Sequence, residues 1–206
     1  PSGSGKSTLL NLIAGVYPPS RGSVEFFDQT PPRIGYVLQA NTLFPWRTVR
    51  GNLAYASEIS GRPRSERDRI ASRICEQIGL SPAAFLDKYP RELSGGEQRR
   101  VAIGMAVAME PDLLLLDEPG SQLDYEAKWA VQLLVQDIAL RHGLAVICVT
   151  HDLEEAVFVG DRVMMMRAGR VIDMINIELQ RPRHNTVRAS DRFNDYRRRL
   201  MEHGLG

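Results

Sequence analysis

The first eight residues combine glycines, hydroxyl side chains and one lysine in an arrangement that suits phosphate binding. They read Pro-Ser-Gly-Ser-Gly-Lys-Ser-Thr, which matches the pattern of glycine, four residues and Gly-Lys-Ser/Thr except for its opening glycine. Glycines let consecutive backbone N–H groups turn inward around an anion. We therefore expect a nucleotide to be bound by Pro1, Ser2, Gly3, Ser4, Gly5, Lys6, Ser7 and Thr8.

Two side chains of this loop have separate expected roles. Lys6 would reach the β- and γ-phosphates of a nucleoside triphosphate, and the Ser7 hydroxyl would ligate Mg²⁺. Residues 8–14 have a helical pattern, so the positive end of a helix would face the phosphates. For the loop alone, the alternative is a Gly/Ser-rich turn in which the lysine occurs by chance.

A pair of carboxylates follows a continuous apolar run, Leu113 to Leu116. Such a run is typical of a buried parallel strand, and α/β folds place ligands at the carboxyl ends of such strands. With a phosphate loop upstream, Asp117 suits Mg²⁺ coordination through water, and Glu118 suits the general base that orients an attacking water. The alternative is a helix or turn cap after the strand.

A second anion-binding pattern lies at residues 93–98, Leu-Ser-Gly-Gly-Glu-Gln. Ser94 and Glu97 have the spacing of a capping box that begins a helix running through Met105. A simple cap explains these two residues, but the adjacent Gly95 and Gly96 are costly in a helix and need another reason. A helix N-terminus with exposed N–H groups attracts anions, so phosphate binding is that reason.

These residues must be positioned by alternating strands and helices, which indicates an α/β fold with a largely parallel sheet. We predict strands over residues 22–27, 33–38, 113–117 and 144–149, a hairpin over 163–172, and helices over 65–79, 94–105 and 124–142, with another beginning at 81–82. The predicted organisation is a nucleotide-binding core (1–39 and 108–177), an inserted helical subdomain (40–107) and a basic, solvated helical tail (178–206).

Together these motifs resemble the ATP-binding subunit of ABC transporters. Residues 1–8 resemble the Walker A loop without its first glycine, residues 113–118 resemble Walker B with the catalytic glutamate, and residues 93–98 resemble the ABC signature. Gln39 matches the Q-loop, Asp124 the D-loop and His151 the switch histidine. The resemblance implies a P-loop NTPase core with a mainly parallel sheet and an inserted helical subdomain, and ATPase activity.

The resemblance also implies a division of roles across a head-to-tail dimer with two-fold symmetry. One subunit would hold ATP by its phosphate loop, while Ser94 and Gly96 of a second subunit would cap the γ-phosphate. Ser7 and Gln39 would ligate Mg²⁺, Asp117 would hold it through water, Glu118 would polarise the attacking water and His151 would sense the γ-phosphate.

Finer features are similar to bacterial importers of the nitrate, sulfonate and taurine type. They are residues 41–49 after the Q-loop, from Asn41 to Val49, residues 153–157 and the late Arg-Pro-Arg at 181–183. This similarity implies a transmembrane permease that contacts the chain near Phe44 and Trp46, an extracytoplasmic solute-binding protein acting indirectly, and a location on the cytoplasmic face of the inner membrane. For the two aromatic residues, simple packing is the alternative.

Composition excludes several other classes. Lys and Arg number 26 against 25 Asp and Glu, so the net charge of +1 gives no reason to expect a nucleic-acid partner. The apolar runs are far shorter than the roughly 20 residues that cross a bilayer. Cys75 and Cys148 are far apart in apolar segments and are expected to be buried, reduced thiols.

Three alternatives to a transport subunit are weaker. A soluble ABC ATPase acting on DNA or ribosomes would carry a long coiled coil or two cassettes, a regulatory cassette would lack Glu118 or His151, and a nucleotide kinase would not explain residues 93–98. Because the chain begins at Pro1 without an initiator methionine, we expect a fragment. The family's first strands and its adenine-stacking aromatic residue would then precede Pro1.

Overall fold

The computed structural model describes residues 4–26, 30–40 and 42–205, with side chains as far as Glu202. The helices are α1 (Lys6–Ile13), α2 (Val49–Leu53), α3 (Tyr55–Ile59), α4 (Arg64–Gln77), α5 (Pro82–Phe85), α6 (Gly95–Val107), α7 (Tyr125–His142), α8 (Leu153–Val159) and α9 (Asp191–Leu205). The strands are β1 (Ile34–Val37), β2 (Leu113–Asp117), β3 (Ala145–Val149), β4 (Arg162–Arg167) and β5 (Arg170–Asn176). Short 3-10 turns occur at Pro90–Glu92 and Asn185–Ala189. Among the predicted site residues, Pro1, Ser2 and Gly3 lie outside the described ranges.

The chain divides into two compact units, residues 1–24 with 148–206 and residues 25–147. In the second unit, β1 and β2 pair in parallel, with Ile34 opposite Leu113 and Val37 opposite Leu116. The sheet order is β1-β2-β3. Every residue of β2 is buried, as the continuous apolar run predicts. The sheet therefore brings the ends of β1 and β2, with Gln39 and Glu118 just beyond them, to one edge.

Helix α6 is the central packing element of the second unit. A Cβ built on its Gly104 would lie 2.9 Å from Leu53 of α2 and 3.0 Å and 3.1 Å from Ile74 and Ile78, in and just after α4. Helices α2 and α4 therefore pack closely against α6 at Gly104, and a larger residue there would require these side chains to shift. The predicted helices at 65–79, 81–82 and 94–105 correspond to α4, α5 and α6.

Two strand predictions need correction. Residues 23–26 form no strand, because none of the described strands pairs with them, and residue 27 lies outside the described ranges. The other is β3, which is present but is not buried throughout: Ala145 and Ile147 are exposed, and among the described strands β3 lies at one end of the sheet order. Cys148 is consequently only half-buried, whereas Cys75 is buried as predicted.

The first unit contains α1, the antiparallel hairpin β4-β5, α8 and α9. Ala168 and Gly169 form the hairpin turn with φ of 46° and 75°, a left-handed pair that suits a two-residue hairpin. The tail is less solvated than predicted. Phe193, Tyr196 and Leu200 form a buried stripe on α9 at helical spacing, so this helix packs into its unit.

None of the helices in the described part of the chain combines the length and apolar character needed to cross a membrane.

Candidate active site

The phosphate loop leads into α1 through a left-handed glycine. Gly5 has φ +88° and, within the described ranges, its helix has no side-chain cap, so the N–H groups of the first turn point out of the helix end. Lys6 donates a hydrogen bond from Nζ to Oγ of the buried Ser4, at 2.9 Å. Ser7 and Thr8 are exposed. This arrangement leaves an open, positively polarised helix end with two hydroxyls beside it.

The hairpin turn of the same unit packs against this loop. The Gly169 N–H donates to the Ser4 carbonyl at 3.1 Å. A Cβ on Gly5 would lie 3.4 Å from the Gly169 Cα, and the left-handed φ at Gly5 disfavours any side chain there. The loop's shape is thus held by contacts within the first unit.

In the second unit, the predicted Q-loop glutamine and the predicted general base are in contact. Gln39 donates from Nε2 to Oε2 of Glu118 at 3.3 Å. Glu118 follows β2 with φ 48°, a left-handed conformation that costs a non-glycine residue about 1–3 kcal/mol. A strained conformation of this kind persists only where the surrounding structure holds it. Here it places the Glu118 carboxylate at the edge of the sheet where Gln39 lies.

Asp117, the last residue of β2, is 5% exposed. Its Oδ1 has no hydrogen-bond partner among the described residues. Burial, and secondly the charge of Asp117, raise the pKa of the Tyr36 phenol above its ordinary value. A buried carboxylate oxygen without a donor is costly unless a cation or water satisfies it, which makes Asp117 suited to a cation.

The predicted signature forms a capping box. Ser94 Oγ accepts from the Glu97 N–H at 3.3 Å, and the Glu97 carboxylate accepts from the Ser94 N–H at 2.7 Å. Ser94 and Gly95 are exposed, whereas Gly96 is buried, and a Cβ there would lie 2.6 Å from the Ala127 Cβ of α7. The two glycines therefore differ: Gly96 allows two helices to meet, and Gly95 leaves an open surface.

Two further predicted residues stand at helix N-termini. Asp124 caps α7, its Oδ1 accepting from the Ala127 N–H at 2.8 Å. In the first unit, His151 is exposed on the turn between β3 and α8. Asp152 caps α8, and Thr150 donates to the buried Glu155 carboxylate, so hydrogen bonds on either side of His151 fix this turn.

The described residues contain no group of three or more His, Cys, Asp or Glu side chains arranged around a common point. The predicted Mg²⁺ ligands are of another kind: a hydroxyl, an amide and one carboxylate. Gln39 and Asp117 lie in the second unit, and Ser7 belongs to the first.

Residues 1–121 match the family model described as ABC transporter. The chain belongs to the ABC transporter family. Within this family it is an ATP-binding cassette, so the predicted recognition, the P-loop NTPase fold class with its parallel sheet and the ATPase activity are confirmed.

Curated relatives and solved structures are consistent with this family assignment. The chain is 42% identical over 189 residues to an aliphatic sulfonates import ATP-binding protein of Burkholderia lata, covering 89% of the chain and 67% of the relative. It is 39% identical over 211 residues to a nitrate import ATP-binding protein of Synechococcus elongatus, covering 97% of the chain and 32% of the relative. Among solved structures, it matches an ATP-binding cassette in a dimeric post-hydrolysis state bound to ADP and Pi, with a TM-score of 0.77 and 29% identity, covering 87% of the chain and 84% of that structure.

The backbone of the aromatic loop of this ABC cassette, which we define as residues 44–48, is hydrogen-bonded by one side chain. Asn52 is 1% exposed; it accepts from the Phe44 N–H at 2.8 Å and donates to the carbonyls of Phe44, Arg47 and Thr48. Phe44 packs on Tyr55 with ring centroids 4.5 Å apart. Trp46, in contrast, is 72% exposed. The loop backbone is thus held by four hydrogen bonds to Asn52, and the loop presents an exposed indole.

Sequence reasoning missed Asn52 and Arg99, and it noted Arg183 only as part of the importer-like Arg-Pro-Arg, without its structural role. Arg99 donates to the Q-loop backbone. Arg183, 1% exposed, donates to the carbonyls of Val157, Phe158 and Gly160 at the end of α8, and burial lowers its pKa to about 10. Asn52 could have been noticed as a polar residue three positions after the apolar Val49 on a short helix. Nothing in the spacing indicates the backbone contacts that Arg99 and Arg183 make.

Proposed function

We propose that this chain is the ATP-hydrolysing subunit that dimerises head-to-tail and powers solute import through a membrane permease of the nitrate, sulfonate or taurine type. The observation that supports hydrolysis most directly is the hydrogen bond between Gln39 and Glu118, beside the buried Asp117. The sulfonate and nitrate import relatives support the transport class.

In this proposal Glu118 is the general base. Its carboxylate accepts a proton from water as the water oxygen attacks the γ-phosphorus of ATP, and the bond to the leaving ADP oxygen breaks, giving ADP and phosphate. Gln39 donates to one carboxylate oxygen, which leaves the other oriented toward the water. Lys6 and the N–H groups at the start of α1 hold the phosphates, together with Ser7 and Thr8. His151 contacts the γ-phosphate.

Asp117 fits a role in holding Mg²⁺. Its Oδ1 is buried without a hydrogen-bond partner among the described residues, and oxygen ligands from one or two carboxylates are what Mg²⁺ accepts in such sites. Ser7 and Gln39 complete the proposed set of Mg²⁺ ligands with a hydroxyl and an amide oxygen. When bound, the cation supplies charge neutralisation for the β- and γ-phosphate oxygens.

The signature residues support a second phosphate contact, made to the ATP held by a partner copy. Ser94 and Gly95 are exposed. Among the described residues a Cβ on Gly95 would meet only Leu123, at an ordinary 3.5 Å, and Gly95 has no left-handed φ, so neither packing nor backbone conformation there accounts for the glycine. An open helix N-terminus of this kind accepts an anion. In this arrangement Ser94 and Gly96 would contact the γ-phosphate, Gly95 leaves the helix end open, Glu97 keeps the cap formed and Asp124 lies at the dimer interface. The absence of a Cβ on Gly96 also sets the spacing between α6 and α7. The cassette solved as a dimer with ADP and Pi supports this assembly.

The aromatic loop is the proposed permease contact. Trp46 is exposed on a backbone that Asn52 fixes, and Phe44 lies beneath it with the ring centroids 5.6 Å apart. An exposed apolar anchor on a hydrogen-bonded loop suits a short helix of a partner. The subunit would then sit on the cytoplasmic face of the membrane through the permease, and a solute-binding protein would act on the outer side of that permease.

ATP hydrolysis by the purified chain tests the first part of the proposal. The variant Glu118→Gln is expected to bind ATP but to hydrolyse it at least about 100-fold more slowly, because a positioned base contributes at that level. Glu110→Gln is the matched control, since Glu110 is exposed and has nearly the same left-handed φ of 50°. Near-normal turnover in Glu118→Gln would refute the assignment of the base.

Copurification from the native cell in mild detergent tests the transport part. The wild-type chain should retain a polytopic membrane protein, and Trp46→Ala should lose most of it. Leu140→Ala removes a similarly exposed apolar side chain, 50% exposed on α7, and should retain it. Ribosomal or DNA-bound partners without a membrane protein would instead favour a non-transport ABC ATPase.

A further inference from the structure

An arginine of helix α6 binds the backbone of the Q-loop. Arg99 donates from Nη1 to the Leu38 carbonyl and from Nη2 to the Gln39 carbonyl, each at 2.7 Å. Both donors belong to one planar guanidinium, and both acceptors belong to consecutive residues. This two-pronged geometry is one that a guanidinium satisfies and a lysine ammonium does not. Hydrogen bonds with a charged donor at this length are stronger than neutral ones.

The segment that Arg99 holds is otherwise open to solvent. Leu38, Gln39 and Ala40 follow the end of β1 and are all exposed. Exposed connections after a strand are normally more mobile than the strand itself. The Gln39 side chain nevertheless reaches Glu118, with its Nε2 at 3.3 Å from Oε2. A weak, exposed side-chain contact of this kind depends on where the backbone of Gln39 is held.

We propose that Arg99 is a positioning residue: it fixes the Gln39 backbone so that the Gln39 amide meets Glu118, and it makes that geometry depend on the placement of helix α6. The proposal rests on the hydrolytic role given above to Gln39 and Glu118. Because α6 begins at the signature residues, four positions before Arg99, a shift of the signature moves the anchor of the Q-loop in the same subunit.

The neighbouring arginine provides a matched control. Arg100 follows Arg99 on α6 and also donates to backbone carbonyls, those of Ile78 at 3.4 Å and Gly79 at 3.0 Å, just beyond the end of α4. It is partly buried like Arg99. Replacing Arg100 therefore removes the same kind of side chain and the same kind of contact from the same helix, without touching the Q-loop.

Steady-state ATP hydrolysis by the full chain separates a positioning role from a structural one. Arg99→Met should lower kcat by about 10- to 100-fold, the range for misplacing a group by about an ångström, with KM for ATP changed less than about twofold. Arg99→Lys should recover part of the loss, and Arg100→Met should keep kcat within about threefold of wild type. Equal losses in Arg99→Met and Arg100→Met would overturn the proposal.

A double-mutant cycle asks whether Arg99 acts through Gln39. If it does, adding Arg99→Met to Gln39→Ala should change kcat less than about twofold, because the group to be positioned is already absent. If the two substitutions instead lower kcat by independent factors that multiply in the double variant, the proposal is overturned.

Limited proteolysis of the nucleotide-free chain gives a readout independent of activity, because cleavage of the native protein reports local opening of the backbone. Leu38 is exposed and lies in the segment that Arg99 holds, so chymotrypsin can report on this backbone. Arg99→Met should speed cleavage after Leu38 by roughly tenfold relative to wild type and to Arg100→Met. Unchanged cleavage, with normal turnover in the wild-type chain, would overturn the Arg99 proposal alone. Faster cleavage in a chain whose wild-type form does not hydrolyse ATP would overturn the proposed function and leave the Arg99 contact supported.

Discussion

The two adjacent glycines of the signature should respond in opposite ways to the same substitution. A Cβ on Gly96 would lie 2.6 Å from the Ala127 Cβ, whereas a Cβ on Gly95 would lie 3.5 Å from a methyl group of Leu123. Attractive contact between carbon atoms is optimal at about 3.5–4.0 Å. Gly96→Ala therefore forces helices α6 and α7 apart by about 1 Å, and Gly95→Ala forces nothing to move.

The expected change in stability follows from this distance. Overpacking a close contact costs about 1–3 kcal/mol, and alanine in a helix regains up to about 1 kcal/mol relative to glycine. Gly96→Ala should therefore lower the free energy of unfolding by about 1–2 kcal/mol. For a chain of this size that corresponds to a fall in Tm of about 2–8 °C. Gly95→Ala should leave Tm unchanged or raise it slightly.

Calorimetry or thermal denaturation followed by circular dichroism measures the effect, and a second substitution supplies the control. Ala127→Gly removes the opposing Cβ, so the new methyl group at 96 would then meet only the Ala127 Cα position, at 3.5 Å. The double variant should be more stable than the sum of the two single effects by about 1 kcal/mol or more. Ala127→Gly alone should destabilise, because it places glycine in the first turn of α7.

The ATP turnover of the two glycine variants should not follow their thermal stability. Gly95→Ala puts a methyl group on the open helix N-terminus where the partner's γ-phosphate is proposed to bind, so ATP turnover should fall although the chain remains as stable as wild type. A Gly95→Ala variant with full turnover would refute the phosphate role of Gly95. A Gly96→Ala variant with unchanged Tm, or no recovery in the double variant, would refute the packing role of Gly96.

Three other predictions concern parts of the chain away from the signature. Asn52→Leu should lower the free energy of unfolding by about 2–4 kcal/mol in urea denaturation, because three carbonyls of the aromatic loop lose their buried donor. Arg183→Met should destabilise by about 3 kcal/mol in the same assay, and Arg183→Lys by less, since the guanidinium satisfies carbonyls at the end of α8. At pH 8 a thiol reagent should modify Cys148 well before Cys75, because Cys75 is fully buried and burial raises its pKa to about 11, leaving about one thiolate in a thousand.

Much of the fold was predictable because its signals are local. The apolar run before Asp117 predicted β2, the Ser94 and Glu97 spacing predicted the start of α6, and the helical pattern over 124–142 predicted α7. The wrong or partial predictions share a different cause. Whether residues 23–26 form a strand, or β3 is buried, depends on which strands pair with them, and a single segment does not contain that information.

The candidate site was predictable as residue types, and less so as contacts. Asp117 and Glu118 were assigned from their position after a buried strand, yet the left-handed φ of Glu118 and its hydrogen bond from Gln39 depend on tertiary structure. Arg99 was missed for the same reason. An arginine on a helix is usually solvated, and only the approach of the Q-loop carbonyls shows that this one has a partner 60 residues away.

Helix α6 links the proposed functional parts of its unit through contacts of three kinds. At its start, Gly96 packs against α7, whose N-terminus is capped by Asp124. One turn later, Arg99 holds the backbone of Gln39. Near its end, Gly104 packs against α2, the helix that carries Asn52 and so fixes the aromatic loop.

These contacts are close-packed or charge-assisted, so α6 cannot move without displacing at least one of its neighbours. Coupling between two sites requires an element whose position both sites influence. Helix α6 contacts the parts of the unit that carry both proposed sites, so it can be that element. In the proposed cycle, ATP at the signature and a permease helix at Trp46 would act on the same helix from opposite ends. The Gly96→Ala and Arg99→Met variants should therefore weaken permease stimulation of ATP turnover more than Arg100→Met does, in a reconstituted complex where the basal rate of each variant is measured alongside.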